Sequence, residues 1–184
     1  MKMDGEIIRC PWADRSPLER AYHDRVWGVP LHDEQGLFGM LCLEGMQAGL
    51  SWSTILFKMG ALRTAFDDFD PLIVAEYDER KIAELMETEG IIRNRLKIRT
   101  MVRNARAYLR LREEHGTLDD FLWRYVDFTP LVNAWREAGE IPARTPLSER
   151  ISRDLKCLGF GFVGPTIVYA FMQATGMVND HLVS

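Results

Sequence analysis

Thr145-Pro146-Leu147-Ser148-Glu149-Arg150-Ile151-Ser152-Arg153-Asp154-Leu155-Lys156-Cys157-Leu158-Gly159-Phe160-Gly161-Phe162-Val163-Gly164-Pro165-Thr166, with the apolar run that follows to Ala174, decides the fold. Thr145 and Pro146 make an N-cap with proline at the first helical position, and Ile151, Leu155 and Leu158 recur on one helix face. Three glycines then break the pattern, and Pro165 opens a second apolar helix. The pattern is a helix-hairpin-helix over about 146–175. Its glycines allow close backbone approach, and free N–H groups at Gly161, Gly164 and Thr166 can hold a DNA phosphate. The same pattern is equally an αα-hairpin with no ligand.

Working outward, helix signals dominate and no run alternates as a strand would. Ser16-Pro17-Leu18-Glu19, Asp33, Ser51, Asp70-Pro71, Asp78 and Thr117 all read as helix starts. A long basic helix is predicted over about 93–114 and a short helix over 131–137. The stretch 139–146, with two prolines and a glycine, reads as a linker. The fold class is all-α.

A chain of 184 residues suits one domain, either a single body or two helical lobes sharing a core. With 47% hydrophobic and 27% charged residues the balance is that of a globular protein. No apolar run approaches the ~20 residues a bilayer requires, and the start lacks a signal-peptide pattern, so a cytoplasmic location is expected. Cys10, Cys42 and Cys157 are too few and too irregular for a disulfide framework. A net charge of −4 argues against nucleic acid when taken alone. Yet Arg93, Arg95, Lys97, Arg99, Arg103, Arg106, Arg110 and Arg112 follow one another with no acid between them, which gives either a local positive surface or a solvated helix face.

Three constellations could carry chemistry. Glu44 lies three residues after Leu41 and seven after Leu37, beside an apolar stripe; it is either a buried functional acid or an acid at the stripe's edge reaching water. Trp12, Tyr22, Trp27 and Trp52 crowd the N-terminal third, where rings can stack on a flipped base or simply fill a core. Cys10, His23 and His181 are ligand types that zinc prefers, at spacings unlike a local finger, and His23 reads equally as a surface residue.

Taken together, Cys10-Pro11-Trp12, Ala21-Tyr22-His23-Asp24, Trp27-Gly28-Val29-Pro30, Leu43-Glu44-Gly45, Gln47-Ala48-Gly49-Leu50-Ser51-Trp52, Asn104-Ala105-Arg106-Ala107-Tyr108-Leu109, Phe162-Val163-Gly164, Phe171-Met172-Gln173-Ala174 and Val178-Asn179-Asp180-His181 resemble the 3-methyladenine DNA glycosylase I family over nearly the whole chain. The resemblance implies an all-α helix-hairpin-helix glycosylase fold over residues 1–184. It implies hydrolysis of the N-glycosidic bond of 3-methyladenine in damaged double-stranded DNA, by a monomer without lyase activity. By matching position it implies Glu44 as the acid that recognises the methylated base, with Tyr22 and Trp52 as pocket companions and Trp12 and Trp27 as walls. It also implies one structural zinc clasping the termini through Cys10, His23 and His181. Two departures stand out. Glu19 occupies a position where family members commonly carry a pocket aromatic, and the Cys that commonly follows the last His by four would fall at 185, beyond Ser184, so the fourth ligand is not present in this sequence. A DNA-binding module without catalysis and a zinc-dependent hydrolase are the rival functions.

Overall fold

In the computed structural model, which describes residues 9–183, the regular structure comprises nine α-helices and one pair of two-residue parallel strands, linked in places by single 3-10 turns. Side-chain oxygens set most helix starts. Ser16 caps α1 (Pro17–Arg25), Asp33 α2 (Glu34–Met46), Ser51 α3 (Trp52–Ala65), Asp70 α4 (Pro71–Ala75) and Asp78 α5 (Glu79–Glu87). Asn94 caps α6 (Arg95–His115), Thr117 α7 (Leu118–Trp123) and Thr145 α8 (Pro146–Cys157). Each accepts a backbone N–H two or three residues on, supplying a partner the helix cannot. Helix α9 (Pro165–Ala174) differs: Gly164 precedes it, and no side chain caps its first amides.

Helix α2 is the centre. Every residue from Leu37 to Met46 is buried, and the helix packs against α3, α6, α7 and α9. A helix apolar all round belongs inside a protein, and α2 has no solvent face for Glu44 to reach. The hairpin α8–α9 docks beside it. Asn104 of α6 closes the turn in both directions: its Nδ2 donates to the Gly161 carbonyl at 3.1 Å, and its Oδ1 accepts the Gly161 N–H at 2.7 Å. Gly45 makes the docking possible, because a Cβ there would lie 3.1 Å from Cβ of Phe162.

Part of the basic run at 93–112 is engaged within the fold, while Arg93, Arg103 and Arg112 stay on the surface. Lys97 donates to the carbonyls of Met46 and Ala48 at 2.7 and 2.6 Å, at the C-terminal end of α2. Arg106 does the same for Ala75 and Tyr77 at the end of α4, and Arg110 for Leu158 at the end of α8. Cations at the negative ends of helices satisfy carbonyls that have no intrahelical partner. Arg99 is bound to Glu79 at 2.7 Å.

The helix predicted over 131–137 is also replaced. Leu131–Val132 (β1) pairs in parallel with Val178–Asn179 (β2), and the Val183 N–H donates to the Trp135 carbonyl at 2.8 Å. The backbone of this segment finds its partners in the C-terminal tail, which no local periodicity reveals.

Asp180 locks that tail in place. Fully buried, its Oδ1 accepts from Asn133 Nδ2 and Trp135 Nε1, both at 2.7 Å, and its Oδ2 from the Tyr169 hydroxyl at 2.6 Å and Gln173 Nε2 at 2.8 Å. Four donors, two from the segment after β1 and two from α9, converge on one carboxylate. Asp180→Asn turns one acceptor atom into a donor facing donors, so it should destabilise the fold by about 3 kcal/mol, read from denaturant unfolding. A midpoint equal to that of the wild type would show the network to be dispensable.

Candidate active site

Glu44 sits in the last turn of α2 with 4% of its surface exposed, and no hydrogen bond reaches its carboxyl group among the described residues. Burial pushes its pKa up to about 8, since ionisation in a low-dielectric site without a partner is costly. The chain then turns at Gly49 (φ +74°), and Ser51 caps α3 so that Trp52 becomes its first residue. The nine residues from Glu44 to Trp52 therefore fold into two helix ends that face one space. Lys97 holds the carbonyls of this turn.

That space is a cavity of about 530 Å³, lined by Trp12, Tyr22, Trp27, Glu44 and Trp52 among others. All five residues singled out from sequence as pocket residues are brought together. Tyr22 lies 5.3 Å from Trp52 between ring centroids, tilted by 49°, and Trp12 meets Trp27 edge-on at 5.3 Å. Burial and the nearby Glu44 both raise the Tyr22 phenol, which keeps it a neutral donor. The indole Nε1 of Trp52 is buried without a partner among the described residues. An unpaired buried donor costs about 1–3 kcal/mol, and an occupant carrying an acceptor would relieve it.

Sequence reasoning missed several lining residues. Ser51 and Ser53 flank Trp52 and follow from the start of α3, and Gln173 of α9 reaches the wall while donating to Asp180. Ile141 comes from the stretch taken as a linker and Ala138 lies just before it; instead of joining domains, the chain there passes the cavity. No local signal marks them. Asp180 accepts from Gln173, and each of its oxygens already takes two hydrogen bonds.

Cys10, His23 and His181 meet on the far side of Trp27. The Cys10 N–H donates to His23 Nε2 at 3.3 Å, and the His181 ring packs edge-on against His23 at 4.8 Å and Trp27 at 4.7 Å. Gly28, at φ +78°, leaves room for this approach, since a Cβ there would fall 2.6 Å from the His181 ring. An ion pair from Arg9 to Asp24 at 2.8 Å also ties the N-terminal segment to α1. The Nδ1 atoms of His23 and His181 face Asp24 Oδ1 at 3.0 Å and Asn179 Oδ1 at 2.8 Å, which assigns the proton of each ring to Nδ1 and makes Nε2 the acceptor, in His23 already bound by the Cys10 N–H. That donor chemistry suits zinc. Among the described residues, however, no group of three or more His, Cys, Asp or Glu side chains is arranged to hold a metal ion.

The residues proposed to hold DNA divide. Gly161 is buried and its N–H is already donated to Asn104, so it offers nothing to a phosphate. Gly164 and Thr166 stand at the uncapped start of α9.

The raised carboxyl of Glu44 has a consequence for stability. In the unfolded chain it ionises from about 4.5, while the folded protein keeps the proton up to about 8. The folded state binds more protons across that window, so stability falls as pH rises through it and levels off above about 8. Glu44→Gln removes the ionisation and should gain on the wild type between pH 5 and 8.5, by on the order of 4 kcal/mol at most. Thermal unfolding of both proteins across that range checks this; a constant difference at every pH would mean that water reaches the carboxylate.

Residues 12–184 match the family model for methyladenine glycosylase. The chain is 48% identical over 175 residues to DNA-3-methyladenine glycosylase 1 of Escherichia coli (strain K12), covering 95% of this chain and 94% of that protein. A crystal structure of 3-methyladenine DNA glycosylase I, 45% identical, superposes with a TM-score of 0.93 over 96% of this chain and 97% of the other. The Staphylococcus aureus enzyme, in a structure describing how it recognises 3-methyladenine, is 38% identical with a TM-score of 0.93, covering 97% and 95%. With its buried acid, its aromatic cavity and a match running almost end to end, this chain belongs to the methyladenine glycosylase family.

Proposed function

We propose that this protein is a monofunctional DNA glycosylase that hydrolyses the N-glycosidic bond of 3-methyladenine in alkylated double-stranded DNA, the first step of base excision repair. The observation that carries this is Glu44, an acid without a counter-ion at the end of a buried helix, facing a cavity walled by aromatic rings. Methylation at N3 gives adenine a positive charge and weakens its glycosidic bond, so recognition accounts for much of the catalysis. The flipped base enters among Trp12, Tyr22 and Trp52, and Trp27 backs the wall.

Magnitudes favour the charge. A cation 4 Å from a carboxylate gains on the order of 4 kcal/mol at an effective dielectric of ~20. Displacing the Glu44 proton at pH 7 takes back about 1.4 kcal/mol, because its pKa lies near 8. The remainder is about a hundredfold preference over neutral adenine, which brings no charge to set against the desolvation. Bond cleavage sends the C–N electron pair to the base, and water adds to the sugar. Pro165 and Thr166 stand where lyase relatives in the wider superfamily carry a lysine, so no covalent imine forms and the strand stays intact.

Gly164 and Thr166 at the open end of α9 are assigned to a DNA phosphate, through backbone N–H groups. One continuous buried cluster supports reading the chain as a single glycosylase domain, acting as a monomer. Among the described residues no helix is long and apolar enough to cross a membrane, and a cytoplasmic location is part of this reading. A structural zinc on Cys10, His23 and His181 is part of it as well; such an ion would join the two chain ends and supply no chemistry to the reaction.

Two measurements test this. Release of bases from methylated duplex DNA should show free 3-methyladenine with the wild type, and Glu44→Gln should lower kcat/KM about a hundredfold. Undiminished excision by that variant would remove Glu44 from the site. For the metal, elemental analysis should find about one zinc per chain, and Cys10→Ser should lower the unfolding temperature while the folded protein still excises. Loss of excision with stability and metal content retained would place Cys10 in the active site instead.

A further inference from the structure

The cavity contains a second buried carboxylate. Glu19 of α1 is 4% exposed and lies one turn before Tyr22 on the same helix face, lining the space that Glu44 lines. Both of its oxygens are held: the Ser53 hydroxyl donates to Oε1 at 2.6 Å and the Ser16 hydroxyl to Oε2 at 3.0 Å. Ser16 is the N-cap of α1 and Ser53 belongs to the first turn of α3. Glu19 therefore sits where the positive ends of two helices meet, oriented by groups fixed in those helices. A carboxylate offers about four lone-pair sites, so the two hydroxyls leave acceptor capacity free.

The two acids lie at different depths. Glu44 is carried by α2 between Leu43, Gly45 and Met46, all buried. Glu19 is bound to Ser53, which is exposed, and beside it the cavity is edged by Arg15 and Ser51, also exposed. A flipped nucleotide enters base first and leaves its sugar at the rim, tethered to the DNA backbone. A base held by Glu44 thus puts C1′ of its sugar on the Glu19 side.

We propose that Glu19 is a second catalytic carboxylate, placed to face the sugar, where it stabilises the positive charge on C1′ and accepts a proton from the attacking water. The C1′–N9 bond breaks with its electron pair passing to the base, which leaves neutral. Water oxygen bonds to C1′ and its proton passes to Glu19, from which bulk water takes it. The serine hydroxyls keep the carboxylate aimed, as a preorganised group must be to favour the transition state over the ground state. This assignment rests on the cavity being the base pocket.

The test separates rate from binding. Single-turnover excision from duplex DNA containing 3-methyladenine should slow about a hundredfold in Glu19→Gln. Binding of free 3-methyladenine, which has no sugar, should weaken far less, and Glu19→Asp should recover part of the rate. Ser53→Ala, which frees one oxygen of Glu19, should slow the same step by a smaller factor and serves if Glu19→Gln folds poorly. A wild-type rate in Glu19→Gln, or a loss of free-base binding equal to the loss of rate, overturns the proposal. Glu44→Gln in the same binding assay is the control for the pocket: if it binds the free base as the wild type does, the pocket assignment fails, whatever Glu19 does.

Discussion

An acid kept out of water with no cation beside it is the constraint around which this protein is arranged. Glu44 can be held there only because α2 is enclosed on all sides, so that its last turn cannot tilt toward solvent. Enclosure in turn needs close packing. Gly45 admits the turn of the hairpin against α2, Asn104 pins that turn, and Lys97 satisfies the carbonyls at the helix end. Each contact is local, yet all bear on the placing of one carboxyl group. The cavity in front of it is the exception to close packing, and the unpaired indole N–H of Trp52 is its second polar vacancy.

What could be read from sequence follows from how far each signal reaches along the chain. Helix starts were legible because a cap and the amide it binds are two or three residues apart, as at Asp33 and Gly36 or Thr117 and Asp120. The hairpin was legible because proline and glycine act on their own backbone. Bringing Glu44, Tyr22 and Trp52 into one cavity depends on packing between helices, and only the resemblance of many ordered segments anticipated it. Leu131–Val132 was misread because its partners lie nearly fifty residues away. Ala138 and Ile141 gave no signal at all, since apolar residues in a glycine- and proline-rich stretch look alike whether they face a pocket or a solvent-exposed linker.

The cations of α6 show why charge patterning was the least dependable guide. Eight basic residues without an acid resemble a phosphate-binding face. Three of them instead donate to carbonyls at the C-terminal ends of α2, α4 and α8. One helix thereby stitches three others at their weakest points, where carbonyls have no intrahelical donor. A cation that serves a helix end and one that serves DNA have the same sequence signature, because the carbonyl that distinguishes them comes from elsewhere in the chain.

With part of that run engaged inside the fold, an acidic chain can also meet DNA by other means. The uncapped start of α9 offers backbone N–H groups, which carry no net charge to raise the repulsion among neighbours and no long side chain to order. Such contacts position a duplex without holding it tightly, because few phosphates are neutralised and few counterions released. Weak general affinity suits the proposed reaction. Undamaged DNA vastly outnumbers the lesion, and in the function proposed above discrimination between them resides in the pocket, where a fixed positive charge on the base would meet Glu44. Binding energy spent on every phosphate would be uniform across sites, whereas binding energy released only when a cationic base enters favours the damaged one. Backbone N–H groups at the DNA contact and the unpaired acid inside are, on this reading, two sides of one specificity.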